Sequence, residues 1–401
     1  MQSLKELYKI GNGPSSSHTM GPKRCAEYAL NKYGSNYKYE VILYASLALT
    51  GKGHLTDYII KTVLPDCTIK FDIYTEVKHP NTLDIIIYDN SNNKVDEIRF
   101  YSVGGGTISI EGIDDIAKED VYPEKNFEEI KAFCLKNNIG LHEYAYHYEP
   151  EIKEYLEVVY EKMVECIKSG LNKEGYLPGS LKVERRAKAL YNAKLDYETR
   201  EIYQSRIVSS FAFAVSEENA SGGEIVTAPT CGASGVVPSV MYYLKHNHHF
   251  TKEKLIDGLA VAGVIGNVVK HNASISGAEC GCQAEVGTAT SMAAALHAFM
   301  FNYSIEQIEY ASEVALEHQL GLTCDPIRGY VQIPCIERNA VAATRAIESS
   351  RIACFLTGSR KISFDYVVKT MKETGKDLHH HYRETSLGGL AKDYNGEEYD
   401  K

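Results

Sequence analysis

The feature that most constrains the fold is a change of hydrophobic period along the chain. Before residue 114, apolar residues recur at every second position over 39–44, 68–77, 82–88 and 95–103, the repeat of strands buried on one face. After a charged, proline-containing stretch at 114–126 this signal nearly vanishes, and spacings of three and four take over. No single sheet and no single helical bundle accommodates both patterns. The expected fold is an α+β N-terminal domain, a small sheet with helices, over residues 1–120, followed by an all-α domain over 121–401.

Local signals place individual elements. A helix is expected over 21–33 after a serine-rich turn, and an amphipathic helix over 151–168. Ser304 and Gln307 have capping-box spacing and open a helix that stops near Gly321, and another starts after Ser363 and ends at Gly375. Residues 255–269 are apolar nearly all round, with closely spaced glycine and alanine, as befits a helix buried among others.

Charge narrows the function. The 401 residues carry 43 basic and 53 acidic side chains, a net charge of −10, with no lysine/arginine block, so the electrostatic footprint of a nucleic-acid binder is missing. The N-terminal MQSLKELYKIGNG has no apolar signal core, and the weakly polar stretch near 259–269 is too short to span a bilayer. A soluble, cytoplasmic protein is expected. In a reducing compartment ten cysteines need a reason other than disulfides. Cys25, Cys67, Cys134, Cys166 and Cys354 stand singly and read as buried structural thiols. Cys231, Cys280, Cys282, Cys324 and Cys335 lie in turns rich in Gly, Pro and Ser, where backbone can bring sulfur to a shared point.

Several turns carry chemistry. Ser15, Ser16, Ser17, His18 and Thr19 precede a helix, so hydroxyls and free N–H groups gather where a helix N-terminus favours a carboxylate. The 50–56 loop, TGKGHLT, presents Lys52, which can neutralise an acid, and His54, a natural proton shuttle. It lacks the spacing of a phosphate-binding loop. Gly104, Gly105 and Gly106 form either an anion nest or a turn. Cys231, in EIVTAPTCGASG, lacks the companions of a cysteine-hydrolase nucleophile. The strongest cluster spans 271–285, 321–326 and 331–339, where cysteines beside Gly or Pro suit an iron–sulfur site. Zinc is the alternative metal, but zinc motifs favour paired CxxC units, and Cys324 and Cys335 are eleven apart. Three thiolates on a four-iron cluster leave one iron open as a Lewis acid toward a hydroxyl and a carboxylate.

Taken in order from residue 4 to about 394, the segments GPSSSHTMGP, TGKGH, YSVGGG, EENASGG, VTAPT.GASG, NASISGAE.GCQ.EVG, GLTCDP, VQIPCIERNA and ETS.GGLAKDY resemble the bacterial iron–sulfur L-serine dehydratases in their single-chain form. The resemblance implies an N-terminal domain like the regulatory substrate-binding fold of phosphoglycerate dehydrogenase and a helical domain holding a [4Fe-4S] cluster. It implies conversion of L-serine to pyruvate and ammonia without pyridoxal phosphate. By motif, Cys282, Cys324 and Cys335 are the implied ligands, and His18 and His54 the acid/base pair, with His54 favoured as base. Ser15, Ser16, Ser17, Thr19, Lys52, Thr230 and Asn272 are the implied substrate contacts, at an interface between the domains.

The chain departs from the family pattern in places. Cys231 replaces an asparagine common among members, and Cys280 stands where an aliphatic residue is usual, either a bystander or a competitor for iron. The last cysteine is Cys354, so the self-inhibiting cysteine tail of some members is expected to be missing, as is an appended regulatory module. The expected partner is a small-molecule amino acid, with no nucleic acid, no membrane, and a homodimer as the candidate assembly. Rival readings are a related substrate such as L-cysteine, or a non-catalytic redox sensor. A pyridoxal-phosphate lyase is disfavoured, because no lysine stands in the usual Schiff-base context.

Overall fold

The computed structural model describes residues 1–113 and 120–394. The chain opens with strand β1 (Ile10–Asn12) and helix α1 (Gly21–Tyr33), then β2 (Lys38–Tyr44) and two short helices, α2 (Ala45–Thr50) and α3 (Thr56–Val63). Strands β3 (Thr68–Asp72), β4 (Thr82–Tyr88), β5 (Lys94–Gly104) and β6 (Thr107–Ile110) follow. Five of these strands make one sheet in the order β3-β2-β4-β5-β6, with β2 and β3 parallel and the rest antiparallel. Val41 sits between Ile69 and Ile85, and Ile98 continues the row. That apolar face is buried with α1 and α3 through Cys25, Ala26, Ala29, Ile59 and Ile60.

Two details differ from expectation. The strand expected over 68–77 stops at Asp72, because its carboxylate accepts the N–H groups of Tyr74 and Thr75 at 2.9 and 3.0 Å and closes a turn. Strand β6 was not foreseen, since it has only four half-buried residues. Gly104, Gly105 and Gly106, at φ +97°, +55° and +72°, form the tight turn that leads into it.

Beyond the sheet the chain is helical apart from β7 (Glu224–Val226). Helices α4 (Phe127–Asn137), α5 (Leu141–Tyr148), α6 (Ile152–Asn172), α7 (Ala187–Asn192) and α8 (Arg200–Ala220) come first. They are followed by α9 (Val236–His248), α10 (Lys252–Asn272), α11 (Gly277–Cys280), α12 (Thr288–Met300), α13 (Ile305–Glu317), α14 (Cys335–Leu356), α15 (Phe364–Asp377) and α16 (Leu390–Asp393). The capping box forms as expected, Gln307 N–H donating to Ser304 Oγ and Ser304 N–H to Gln307 Oε1. The helix it opens ends at Glu317, short of Gly321, which frees the following residues to form the loop bearing Cys324.

Helix α10 is buried along almost its whole length, and its glycines let neighbours approach closely. A Cβ at Gly266 would lie 2.8 Å from Leu7 Cδ2 and 2.7 Å from Met292 Sδ. Met1, Leu4, Leu7 and Tyr8 therefore pack in the helical core, and β1 pairs antiparallel with β7, Ile10 opposite Val226. The chain threads through the helical body before it builds the sheet, which sets the serine-rich loop between the two. Helices α6 and α8 also touch closely: a Cβ at Gly170 would be 2.3 Å from the Ala214 carbonyl oxygen. Among the described residues no helix is long and apolar enough to cross a membrane. The segment 395–401, on which the expectation of a missing cysteine tail falls, lies outside the described residues.

Candidate active site

The serine-rich loop winds through one wide π-helical turn, Ser16–Met20, ahead of α1. Ser15 caps it, its Oγ accepting the His18 N–H at 3.1 Å, while Thr19 Oγ1 accepts the Ser15 N–H and donates to the His54 carbonyl at 2.7 Å. Thr56 returns the contact, donating to the His18 carbonyl at 2.6 Å. The two histidine loops are thus tied together, and their rings stack with centroids 4.5 Å apart. Asn219 holds the loop from α8 by donating to the Pro14 carbonyl at 3.0 Å.

The two imidazoles are differently engaged. His18 bonds Ser17 Oγ through Nδ1 at 2.8 Å and Ser46 Oγ through Nε2 at 2.9 Å. His54 places Nδ1 3.1 Å from the Thr50 carbonyl, an acceptor, so Nδ1 carries the proton and Nε2 keeps its lone pair. That Nε2 is buried and has no hydrogen-bond partner. Burial lowers the His54 pKa to about 4, and burial with the neighbouring His54 holds His18 well below the usual range, so both rings are neutral at physiological pH.

Opposite the histidines the cysteine loops interlock. Cys335 opens α14, and Arg338 one turn later donates to the Thr323 carbonyl at 2.6 Å and to Asp325 Oδ1 at 2.9 Å, clamping the Cys324 loop. Asn339 donates to the Gly232 carbonyl and accepts the Gly235 N–H, which ties the 227–235 loop to the same helix. The segment after α15 lies along Cys324 as a one-residue parallel bridge: Cys324 N–H donates to the Tyr382 carbonyl at 2.8 Å and Glu384 N–H to the Cys324 carbonyl at 2.9 Å. Leu390 N–H then bonds Asp325 Oδ2.

These loops wall a tight pocket with a cavity volume of about 20 Å³, lined by Ser15, His54, Cys282, Cys324, Cys335, Glu285, Arg338 and Glu384 among others. The sulfurs of Cys282 and Cys324 and a Glu285 carboxylate oxygen lie within 4.8 Å of one another. Burial raises the Glu285 pKa to about 7, and burial with the Glu285 and Cys282 charges raises that of Glu384 well above the carboxylate range. The Cys282 contact and burial raise the Cys324 thiol, and burial raises Cys335. Three free thiols crowded in a water-poor pocket, each disfavouring the others' charge, fit a cationic iron–sulfur centre, which removes their protons and satisfies the sulfurs. Gly277 leaves room for the Glu285 carboxylate, since a Cβ there would lie 2.6 Å from its Oε2.

Other expected residues fall elsewhere. Lys52 is exposed, its ammonium 5.6 Å from the centre of the Phe71 ring, and does not line the pocket. Asn272 ends α10 and donates to the Lys125 and Val268 carbonyls at 2.7 and 2.9 Å, a helix-terminal role that takes its amide away from the pocket. Ser16 Oγ accepts the Cys231 N–H and Ser17 Oγ serves His18, so Ser15 is the serine of the three that lines the pocket. The buried Thr230 hydroxyl lies beside Glu285. Cys231 packs its sulfur 3.4 Å from Met20 Sδ, and burial raises its pKa to about 12. Cys280 packs against Gly375 of α15, where a Cβ would meet its sulfur at 2.5 Å, and is not a pocket residue. Glu285, Glu384 and Arg338 were not singled out from sequence, although each stands inside a quoted motif.

Comparison with known proteins accounts for this arrangement of motifs. The serine dehydratase beta chain model matches residues 3–70 and the serine dehydratase alpha chain model residues 74–391. The chain is 40% identical to L-serine dehydratase 1 of Escherichia coli over 98% of this chain and 99% of that protein, and 39% identical to the L-serine dehydratase of Haemophilus influenzae over the same shares. It is 38% identical to the L-serine dehydratase of Streptomyces coelicolor over 97% and 98%. The chain therefore belongs to the bacterial L-serine dehydratase family, with the beta- and alpha-chain regions joined in one polypeptide.

Proposed function

We propose that the protein is an L-serine ammonia-lyase, converting L-serine to pyruvate and ammonia at the pocket between the sheet-bearing residues 1–120 and the helical residues 121–401. The observation that carries this reading is the buried, unpartnered Nε2 of His54 lining the same pocket as Cys282, Cys324 and Cys335. Full-length kinship with proteins named L-serine dehydratase supports it.

Cys282, Cys324 and Cys335 would hold a [4Fe-4S] cluster, and when bound the cluster supplies Lewis acidity toward the β-hydroxyl and carboxylate of serine. The Ser15 hydroxyl orients the carboxylate end. His54 is neutral and has its Nε2 lone pair free, so it takes the Cα proton. The Cα–H electron pair forms the Cα–Cβ double bond, and the hydroxyl leaves from Cβ as water, taking up the proton that His54 removed from Cα and restoring the neutral ring. His18, stacked on His54 and bonded at both nitrogens, holds that ring in place. The aminoacrylate released tautomerises to an imine, and water hydrolyses this to pyruvate and ammonium. No lysine is required as a Schiff-base partner.

The test is pyruvate formation from L-serine by anaerobically purified protein, repeated on the same sample after exposure to air and after reconstitution with iron and sulfide. Activity lost in air and regained on reconstitution is expected. Activity indifferent to air overturns the cluster, and no activity in the iron-loaded anaerobic sample overturns the substrate.

A further inference from the structure

A serine molecule brings three polar groups to its site, and the roles above account for two of them. A bound cluster would supply Lewis acidity to the hydroxyl and carboxylate, with Ser15 at the carboxylate end, and neither suits a cation. The third, the α-ammonium, needs a carboxylate, and among the residues lining the pocket these are Glu285 and Glu384.

Both carboxylates are deliberately placed. Glu384 has a left-handed backbone, φ +58°, which a non-glycine residue adopts only where its surroundings over-determine it. Here the surroundings are the bonds between Cys324 and residues 382–384, which fix where the side chain projects. Glu285 lies between Gly232 and Gly277, where a Cβ would come within 3.3 and 2.6 Å of its carboxylate oxygens, so glycine at both positions keeps its space open. Among the described residues neither carboxylate has a lysine or arginine ion-pair partner. The groups facing Glu384 are the neutral rings of His54 and His18, at 3.7 and 3.9 Å, and those beside Glu285 are the Cys282 and Cys324 sulfurs, within 4.8 Å, and the Thr230 hydroxyl. The one guanidinium on the pocket wall, Arg338, is committed to Thr323 and Asp325.

A second observation points to a ligand rather than to a stray acidic pair. His54 Nε2 is fully buried, lacks a partner, and opens into the same pocket 3.7 Å from Glu384. A buried acceptor left unsatisfied costs about 1–3 kcal/mol, so such a group is expected to find its partner in what binds. A cation lying against Glu384 would carry its adjacent carbon toward that nitrogen.

We infer that Glu285 and Glu384 form the subsite for the substrate's α-ammonium group, and that they restrict the enzyme to amino acids over the corresponding hydroxy acids. This rests on the reading of the pocket as the site of serine elimination. A primary ammonium offers three donors, enough for both carboxyl groups, and its positive charge favours the ionised form that burial alone disfavours. A hydroxy acid such as glycerate places an uncharged hydroxyl there, which does nothing to favour the ionised form of the two groups. Seated on the pair, the ammonium also turns the Cα–H bond toward His54.

The experiment uses anaerobic, cluster-loaded enzyme with Glu285→Gln, Glu384→Gln and Glu384→Asp, the visible spectrum of each confirming the cluster. Steady-state constants for L-serine, inhibition by glycerate, and the shift of the cluster spectrum on adding either compound are measured. In each glutamine variant the KM for serine and the concentration giving half of the spectral shift are expected to rise tenfold or more, with glycerate binding unchanged or tighter. Glu384→Asp, which keeps the charge, is expected to recover serine binding. Equal weakening of serine and glycerate, a fall in kcat at unchanged serine affinity, or no recovery by aspartate would each overturn the subsite. Failure of the unaltered enzyme to form pyruvate would instead overturn the elimination reading, and the serine-induced spectral shift in the same samples still decides the subsite.

Discussion

Arg338 and Asp325 form an ion pair at 2.9 Å that locks the start of α14 to the loop of Cys324. The pair is mostly buried, and it brings two of the three thiols to one wall of the pocket.

Replacing Arg338 by Met leaves Asp325 without its cation and the Thr323 carbonyl without its donor. Removing one partner of a buried pair costs about 3 kcal/mol. The variant is expected to lose stability on that scale and to retain less iron per chain after gel filtration. Iron content and thermal midpoint equal to those of the parent would contradict the clamp.

His54→Ala removes the free Nε2 lone pair and leaves the cysteine loops untouched. Turnover of L-serine is expected to fall ~100-fold or more, the usual scale for a general base, with the cluster's visible absorbance unchanged. A variant keeping more than a tenth of the activity would move the base elsewhere.

The contact of α6 with α8 leaves no room for a methyl group at Gly170, because its neighbour is the Ala214 backbone rather than a movable side chain. Gly170→Ala is expected to destabilise the protein by ~1–3 kcal/mol despite the better helix propensity of alanine. Urea unfolding measures it, and a variant as stable as the parent would mean that the helices separate easily.

His297 is buried on α12 and bonds Ser350 Oγ at 2.9 Å, and burial lowers its pKa to about 3, with Arg351 and His248 adding to the effect. A base whose folded pKa lies below its unfolded value binds fewer protons when folded. Its contribution is whole above pH 6.5 and declines as pH falls toward 3. The thermal midpoint of the parent relative to His297→Gln is expected to drop between pH 7 and pH 4. A difference independent of pH would show that the ring ionises freely in the folded chain.

The sheet, its flanking helices and the buried α10 are legible in the sequence because each rests on a period that repeats over several turns or strands. The wall of the pocket is legible only in part. Cys282, Cys324 and Cys335 announce themselves by residue type, but Cys280 has the same chemistry two residues away. It faces α15 because Gly281, at φ +73°, reverses the chain between them. Lys52 and Asn272 sit in motifs of the right kind, yet a motif fixes neighbourhood and not orientation, and both side chains turn outward or back onto the helix end. Glu384 was the least readable, since its place depends on a single backbone bridge to Cys324 that no local pattern encodes.

That bridge also sets an order of events. Ser15 and His54 leave the ribosome first, Cys282, Cys324 and Cys335 after them, and Tyr382 and Glu384 later still. Until those last residues emerge, Cys324 lacks the strand-like partner that pins its loop, and the thiols face an unfinished wall. The wall around Cys282, Cys324 and Cys335 is therefore finished only after residues 382–384 have been made, so a chain cut just before them would keep all three thiols and lose the fixed position of Cys324.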